Sequence, residues 1–270
     1  LKVEGNLAGL GWDRLRGAGR DLVMEWRDPR GLGEDVTIHI PLGGGGALHE
    51  ATFVARPNRF VVDALLGGEV VRAHLADRGR LRETLVPGAR LLLAERDGAA
   101  RATRFQAVAA YVGERLASID TQLPNRLIAA ALRAGALPMF AAYTHIRPEA
   151  RVGSSRFDFQ LSGPQGQCLL EVKSAGLIVD GCALFPDAPT DRGARHLREL
   201  ADHAHQGTRT AVLFVAQGTA AAIAMYRAID PAFADELGRA AAAGVEVYGF
   251  SCPITPAGIA LGEAVPVSWA

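Results

Sequence analysis

The chain has 270 residues, of which 49% are hydrophobic and 21% charged, and its 29 Lys and Arg are balanced by 29 Asp and Glu. That composition excludes a disordered chain, and zero net charge argues against bulk electrostatics as the whole basis of any polyanion binding. No apolar run approaches the roughly 18 residues of a membrane span, no basic leader is followed by an apolar stretch, and three scattered cysteines fit a reducing compartment, so a cytoplasmic protein of about two domains is expected.

Residues 1–46 form an unassigned N-terminal extension. LVMEW (22–26) and VTIHI (36–40) have strand character on either side of the turn cluster Asp28-Pro29-Arg30-Gly31. The segment reads either as an appended strand pair or as a poorly ordered arm. Gly43 to Gly46 is not followed by Gly-Lys-Ser/Thr, so the quartet reads as a flexible linker and not as a phosphate-cradling loop.

Residues 47–120 are β-rich. ATFVA (51–55), RFVVDALL (59–66), EVVRAHL (69–75), ARLLLAER (89–96), RFQAVAAYV (104–112) and RLASID (115–120) are short, closely spaced strands, as in a small barrel or sandwich. Charge is uneven here: residues 51–117 hold eleven Arg against seven Asp and Glu, an excess of four, whereas the segments on either side are each acidic by two. Arg56, Arg59, Arg78 and Arg80 are the candidate nucleic-acid contacts, although the stacking aromatics that usually accompany such a surface are few.

Residues 121–270 alternate strand and helix. The spacing predicts a helix over 123–134, another capped by Thr190 or Asp191 with Leu197, Leu200, Ala201 and Ala204 on its inner stripe, and a third between Asp230-Pro231 and Gly244. TAVLFVA (210–216) reads as a buried parallel strand and VEVYGF (245–250) as its neighbour, with a closing strand after Pro256-Ala257-Gly258. This is the pattern of an α/β sheet with helices on its faces.

Ahead of that alternation lies SSRFDFQLSGPQGQCLLEVKSAG (154–176), two strand-like runs about a Gly163-Pro164-Gln165-Gly166 turn. A turn centred on Pro164-Gln165 pairs residues whose numbers sum to 329, which sets Asp158 opposite Glu171, ~4.5–5.5 Å apart at Cβ. Alternation places Asp158 and Gln160 on one face, Phe157, Phe159 and Leu161 on the other, and Glu171 and Lys173 together on the partner strand. Opposed carboxylates destabilise a sheet unless a cation sits between them. A magnesium ion held by two carboxylates, with water and phosphate completing its shell, fits. A lone Glu-x-Lys is usually an ordinary solvated pair, but here Lys2 and Lys173 are the only lysines among 29 basic residues. Arginine cannot release its proton and lysine can, so the exception points to chemistry.

Asp158 with Glu171-Val172-Lys173 has the spacing of a PD-(D/E)xK nuclease site. The carboxylates would hold Mg²⁺ or Mn²⁺, and Lys173 would orient the attacking water or stabilise charge on phosphate. Glu149 is either a further acidic partner or a surface carboxylate, and Gln160 is a weaker candidate. His196 falls one position from the leucine stripe, where it could face the edge of the site but is more often a boundary residue without chemistry. His203 and His205 do not share a helix face, and the cysteines read as packing residues.

PNRLIAAAL (124–132), SSRFDF (154–159), EVKS (171–174), LFPDAPTDRGARHLREL (184–200) and GVEV (244–247), in that order, resemble the sugar fermentation stimulation protein family over about residues 48–267. The resemblance implies an N-terminal OB-like barrel (47–120) followed by a PD-(D/E)xK restriction-endonuclease-like α/β domain (121–270), an α+β arrangement overall. It also implies DNA binding linked to regulation of sugar metabolism. Carried onto this chain, it implies Asp158, Glu171 and Lys173 as the nuclease-like site. The chain departs from the family at His74-Leu75-Ala76-Asp77-Arg78-Gly79-Arg80-Leu81, where arginines replace a polar centre, and at Glu149-Ala150-Arg151-Val152-Gly153, where Glu-Val-Lys-Tyr-Gly is typical. Two functions follow as expectations: a DNA-binding protein (RNA being the other possible partner) with a magnesium-dependent phosphodiesterase site, or a non-catalytic regulator that uses the nuclease fold to dock on DNA. The sequence leaves the oligomeric state open.

Overall fold

The structure, a computed structural model, describes residues 12–14 and 24–26 (backbone only), 37–77, 79, 81, 84–96, 103–153 and 155–270. Arg78 and Arg80, and most of the N-terminal extension, lie outside the described residues. The chain divides into two units. One holds His39–Leu127 with Pro253–Ala260, and the other holds Ile128–Cys252 with Leu261–Ala270. Within the described residues, no helix is long and apolar enough to cross a membrane.

In the first unit, alternating apolar residues make strands β1 (Leu48–Asn58), β2 (Val61–Leu66), β3 (Glu69–Leu75), β4 (Arg90–Glu95), β5 (Phe105–Val112) and β6 (Arg115–Ser118). Their order is β3-β2-β1-β4-β5-β6, and a parallel pairing of β3 with β5, Ala73 to Phe105 through Leu75 to Ala107, closes the first five into a barrel. Alanines at 64, 73 and 107 let the closing strands approach, while Phe53, Val62, Leu75, Leu91, Leu93 and Phe105 fill the interior. Register shifts in β1 between Phe53 and Ala55, and again before Asn58, bend that long strand so that it pairs with both β2 and β4. This is the expected OB-type barrel.

The glycine quartet is not a linker. Leu42–Gly45 forms a 3₁₀ turn in which Gly43, Gly44 and Gly45 all have positive φ, and Gly43 lies against the Cβ of Ala94 with no room for a side chain. The segment after Pro253 is likewise not the last strand of the α/β sheet. Ile254–Thr255 and Gly258–Ala260 form a hairpin that pairs with His39–Pro41 in the barrel unit.

In the second unit, β7 (His145–Val152), β8 (Ser155–Gly163), β9 (Gly166–Ala175), β11 (Arg209–Ala216) and β13 (Glu246–Ser251) form a sheet in the order β7-β8-β9-β11-β13. The first three are antiparallel neighbours, and β9, β11 and β13 run parallel. Pro148, which has no N–H to give, is on edge strand β7, where a missing donor costs least. A second sheet contains β10 (Cys182–Phe185) and β12 (Ala222–Met225), running parallel. Helix α1 (Leu123–Arg133) leads from the barrel strands to β7. Helices α2 (Asp191–His205) and α3 (Pro231–Ala242) bury Leu197, Leu200, Phe233, Leu237 and Ala240 with Val212, Phe214 and Ala216 of β11.

Two caps join α2 to α3. Thr190 Oγ1 accepts from Gly193 N, and buried Asp230 caps α3 by accepting from Phe233 N at 2.9 Å. The other Asp230 oxygen accepts from Thr190 N at 2.8 Å, so one carboxylate fixes the starts of both helices. Asp230→Ala therefore strands Thr190 N–H as well as uncapping α3. The expected loss is about 2–3 kcal/mol, read from urea unfolding, against a smaller loss for Asp230→Asn, which keeps one acceptor.

Candidate functional site

The β8–β9 hairpin follows from its turn. Gly163 pairs with Gly166, and the ladder runs through Ser162 and Gln167 to Phe159 and Leu170, each pair summing to 329 as expected. Gly163 has no alternative, because a Cβ there would collide with the carbonyl of Ala142. Backbone pairing stops at Phe159 and Leu170, one step short of Asp158 and Glu171. Beyond that point the Asp158 side chain takes over, with Oδ2 accepting from Val172 N at 2.8 Å in place of a strand carbonyl.

Beyond that point β8 pairs with β7 alone. Phe157, expected on the face away from the acids, packs with the α2–α3 core, its ring 5.9 Å from His196 and 6.0 Å from His203 of α2. Phe157 still pairs with Ala150 of β7, yet its ring lies on the side of the sheet that carries Glu171.

Strand β9 is central, and its pairing with β11 sets Glu171 beside Val212 and Lys173 beside Phe214. Glu171 is only 4% exposed. Its Oε1 accepts from Lys173 Nζ at 2.7 Å and from His196 Nδ1 at 2.6 Å. Its Oε2 is buried and has no hydrogen-bond partner among the described residues. Burial pushes the carboxyl up, but the His196 hydrogen bond and the Lys173 charge outweigh it and hold the group below the usual carboxylate value. One carboxylate oxygen is thus doubly engaged, and the other has no hydrogen-bond partner among the described residues.

His196, 2% exposed, is the residue that sequence reasoning placed at a boundary. The buried positions of α2 are 193, 196, 197 and 200, so the histidine belongs to the inner stripe itself. The signal was its spacing of three from Gly193 and four from Leu200. Periodicity finds such a position but does not say what a polar residue there meets.

The other candidates are dispersed. Glu149 has a positive φ of 49° on edge strand β7, and its exposed carboxylate lies 3.3 Å from Arg156. Gln160 bonds Gln167 at 3.1 Å and, with Arg133, Thr144, His145, Ile146, Arg147 and Ser162, lines a groove of about 700 Å³. Gln160 and Ser162 are two and four residues along β8 from Asp158, about 7 and 13 Å at a strand's rise. In the barrel unit, Arg56 donates to the carbonyls of Gly79, Arg59 and Asp77 at 2.6–3.1 Å, an arrangement that braces a loop. Arg59 lies 5.9 Å over the half-exposed ring of Phe60. Burial pushes the Cys168 and Cys252 thiols up to about 12, consistent with packing residues. No group of three or more His, Cys, Asp or Glu side chains converges as a metal cluster among the described residues.

Comparison with known proteins places this geometry. Residues 122–258 match the sugar fermentation stimulation protein RE domain, and residues 54–119 match the N-terminal OB domain of the same proteins. A sugar fermentation stimulation protein homolog of Chloroflexus aurantiacus is 53% identical over 231 residues, 85% of this chain and 89% of the relative. That of Moorella thermoacetica is 47% identical over 79% of this chain and 94% of its own length. The Pyrococcus furiosus SfsA structure, in complex with Ca²⁺, superposes with a TM-score of 0.76 at 29% identity, covering 84% of this chain and 98% of that one.

The buried charge arrangement has a stability signature. Glu171→Leu leaves Lys173 and His196 facing an apolar side chain, at an expected cost of about 3–5 kcal/mol in urea unfolding. Glu171→Gln keeps an oxygen for both donors and should cost less than half as much.

Proposed function

The chain belongs to the sugar fermentation stimulation protein family, and from that premise we propose a nucleic-acid-binding protein with a divalent-cation-dependent phosphodiesterase site of the PD-(D/E)xK type at Asp158, Glu171 and Lys173. The observation that carries the reading is Glu171 Oε2, a buried carboxylate oxygen without a hydrogen-bond partner, beside an aspartate that caps the next backbone N–H. An all-oxygen donor set of two carboxylates suits Mg²⁺ or Mn²⁺. The Ca²⁺ complex of the Pyrococcus furiosus relative supports a hard divalent ion.

Asp158 and Glu171 would hold the ion, which supplies Lewis-acid charge to a phosphodiester and to its attacking water. Val172 N–H fixes the Asp158 carboxylate, and the sheet fixes Glu171. Lys173, whose side chain is 12% exposed, presents a compact positive charge at the mouth of the site, where it can stabilise charge building on phosphate. Arg133, His145 and Arg147 line the groove along β7 and β8 and would meet the backbone phosphates of DNA or RNA. A role in regulating sugar metabolism enters this reading through the family.

A second reading, DNA docking without cleavage, is favoured by the Lys173 ammonium being engaged by Glu171 at 2.7 Å. The two part on activity. With Mg²⁺ or Mn²⁺ the purified protein should nick plasmid DNA or degrade RNA, and both Asp158→Asn and Glu171→Gln should abolish this while remaining folded. Cleavage that survives either substitution would overturn the assignment. In both readings the groove binds phosphate, so the Arg133→Ala, Arg147→Ala double variant should flatten the slope of log K against log salt by about 1.8 for duplex DNA.

A further inference from the structure

The block LFPDAPTDRGARHLREL is the most specific stretch of the chain, yet the reading above uses none of its residues. Locally it builds the start of α2. Thr190 caps the helix, Asp230 holds Thr190, and Gly193 sits where a Cβ would lie 2.8 Å from Thr190 Oγ1 and 3.0 Å from the Phe233 ring. Only glycine lets α2 come this close to α3. One turn later the same face delivers His196 to β9.

We propose that His196 is a positioning residue of the cation site, orienting the Glu171 carboxylate so that Oε2 is the oxygen presented to the ion. The inference rests on the cation reading above. Three contacts fix the imidazole: Nδ1 lies 2.6 Å from Glu171 Oε1, the Phe157 ring centre is 5.9 Å away, and Arg192 Nε donates to Nε2 across a long 3.5 Å. Arginine has donors and no acceptor, so Nε2 faces it with a lone pair and Nδ1 carries the proton. His196 thus donates to Glu171 in a defined tautomer, and Arg192 sets that tautomer.

The consequence is a division of labour between the carboxylate oxygens. Oε1 takes two charge-assisted donors from opposite elements, Lys173 on its own strand and His196 on α2, and is saturated. Two donors from different directions also stop rotation about the carboxylate bond. Oε2 then keeps a fixed direction, with no hydrogen-bond partner among the described residues. With Lys173 alone, a flexible four-carbon stem would be all that held the group, and Lys173 could not turn toward phosphate without releasing it. His196 lets the carboxylate stay in place when the lysine moves.

The test uses Mn²⁺ alone, titrated calorimetrically into the full chain, with urea unfolding measured on the same samples. Wild type should bind the ion and Glu171→Gln should not. His196→Leu, which keeps the apolar packing, and His196→Gln, whose amide reaches past the Nδ1 position, should each weaken affinity about 10–100-fold, the usual effect of removing a partner that orients a ligand. His196→Asn, with an N–H donor at the Nδ1 position, should recover most of the loss. Rescue by Asn but not by Leu or Gln, at similar unfolding midpoints, is a pattern that a purely structural histidine would not produce. Wild-type affinity in all three His196 variants would overturn the inference and leave the cation reading intact. Absence of Mn²⁺ uptake by wild type would overturn both.

Discussion

A buried carboxylate on the central strand of a sheet is the constraint around which the second unit is built. Removing an ionised glutamate from water is costly, and the cost is offset only where charged or strongly polar partners meet it with good geometry. Glu171 meets Lys173 and His196 on one oxygen, while the other has no hydrogen-bond partner among the described residues. Glu199 shows a similar imbalance in its pair with Arg195, so what sets Glu171 apart, on a central strand, is that its engaged oxygen holds a lysine and a buried histidine.

The surroundings supply the means. The hairpin turn pins the register of β8 on β9, and that register brings Asp158 within reach of Val172 N–H at the point where the ladder opens. The Asp230 carboxylate seats two helix starts at once, and the close approach permitted by Gly193 lowers His196 onto the sheet. Local turn chemistry therefore places one acid, parallel strand pairing places the other with its lysine, and helix capping places the histidine.

Legibility in the sequence divides along the same lines. The strands of the barrel, the three helices of the second unit and the hairpin register were readable because each rests on nearby residues: alternation, caps, and a Gly-Pro-Gln-Gly turn. What was not readable depends on contacts between distant segments. Barrel closure by β3 on β5, the packing of Gly43 on Ala94, and the pairing of the Pro253–Ala260 segment with His39–Pro41 leave no periodic trace. At the site, Lys173 meets Glu171 at 2.7 Å, and Asp158 meets the backbone N–H of Val172 between them. Phe157 lies on the Glu171 side although it still pairs with Ala150 of β7, a placement that alternation along the strand does not announce. His196 could be placed near the site's edge but not assigned a role, because a histidine beside an apolar stripe has the same spacing whether it packs or bonds. Arg56 shows the converse: composition made it a surface charge, and three backbone carbonyls engage it.

The choice of lysine at 173 gains its meaning from an arginine elsewhere in the same sheet. Arg209 at the start of β11 binds Glu246 of β13 through both carboxylate oxygens, Nε at 2.9 Å and Nη2 at 2.8 Å, with Tyr248 adding a third bond at 2.6 Å. That glutamate is closed to any further partner, as a planar fork on a planar carboxylate dictates. A chain with two lysines among 29 basic residues uses this fork almost everywhere. At 173 a fork would cover Oε2 along with Oε1 and convert the site into a second structural pair. A point charge binds one oxygen and leaves the other without a hydrogen-bond partner among the described residues, which is the condition the proposed cation would need.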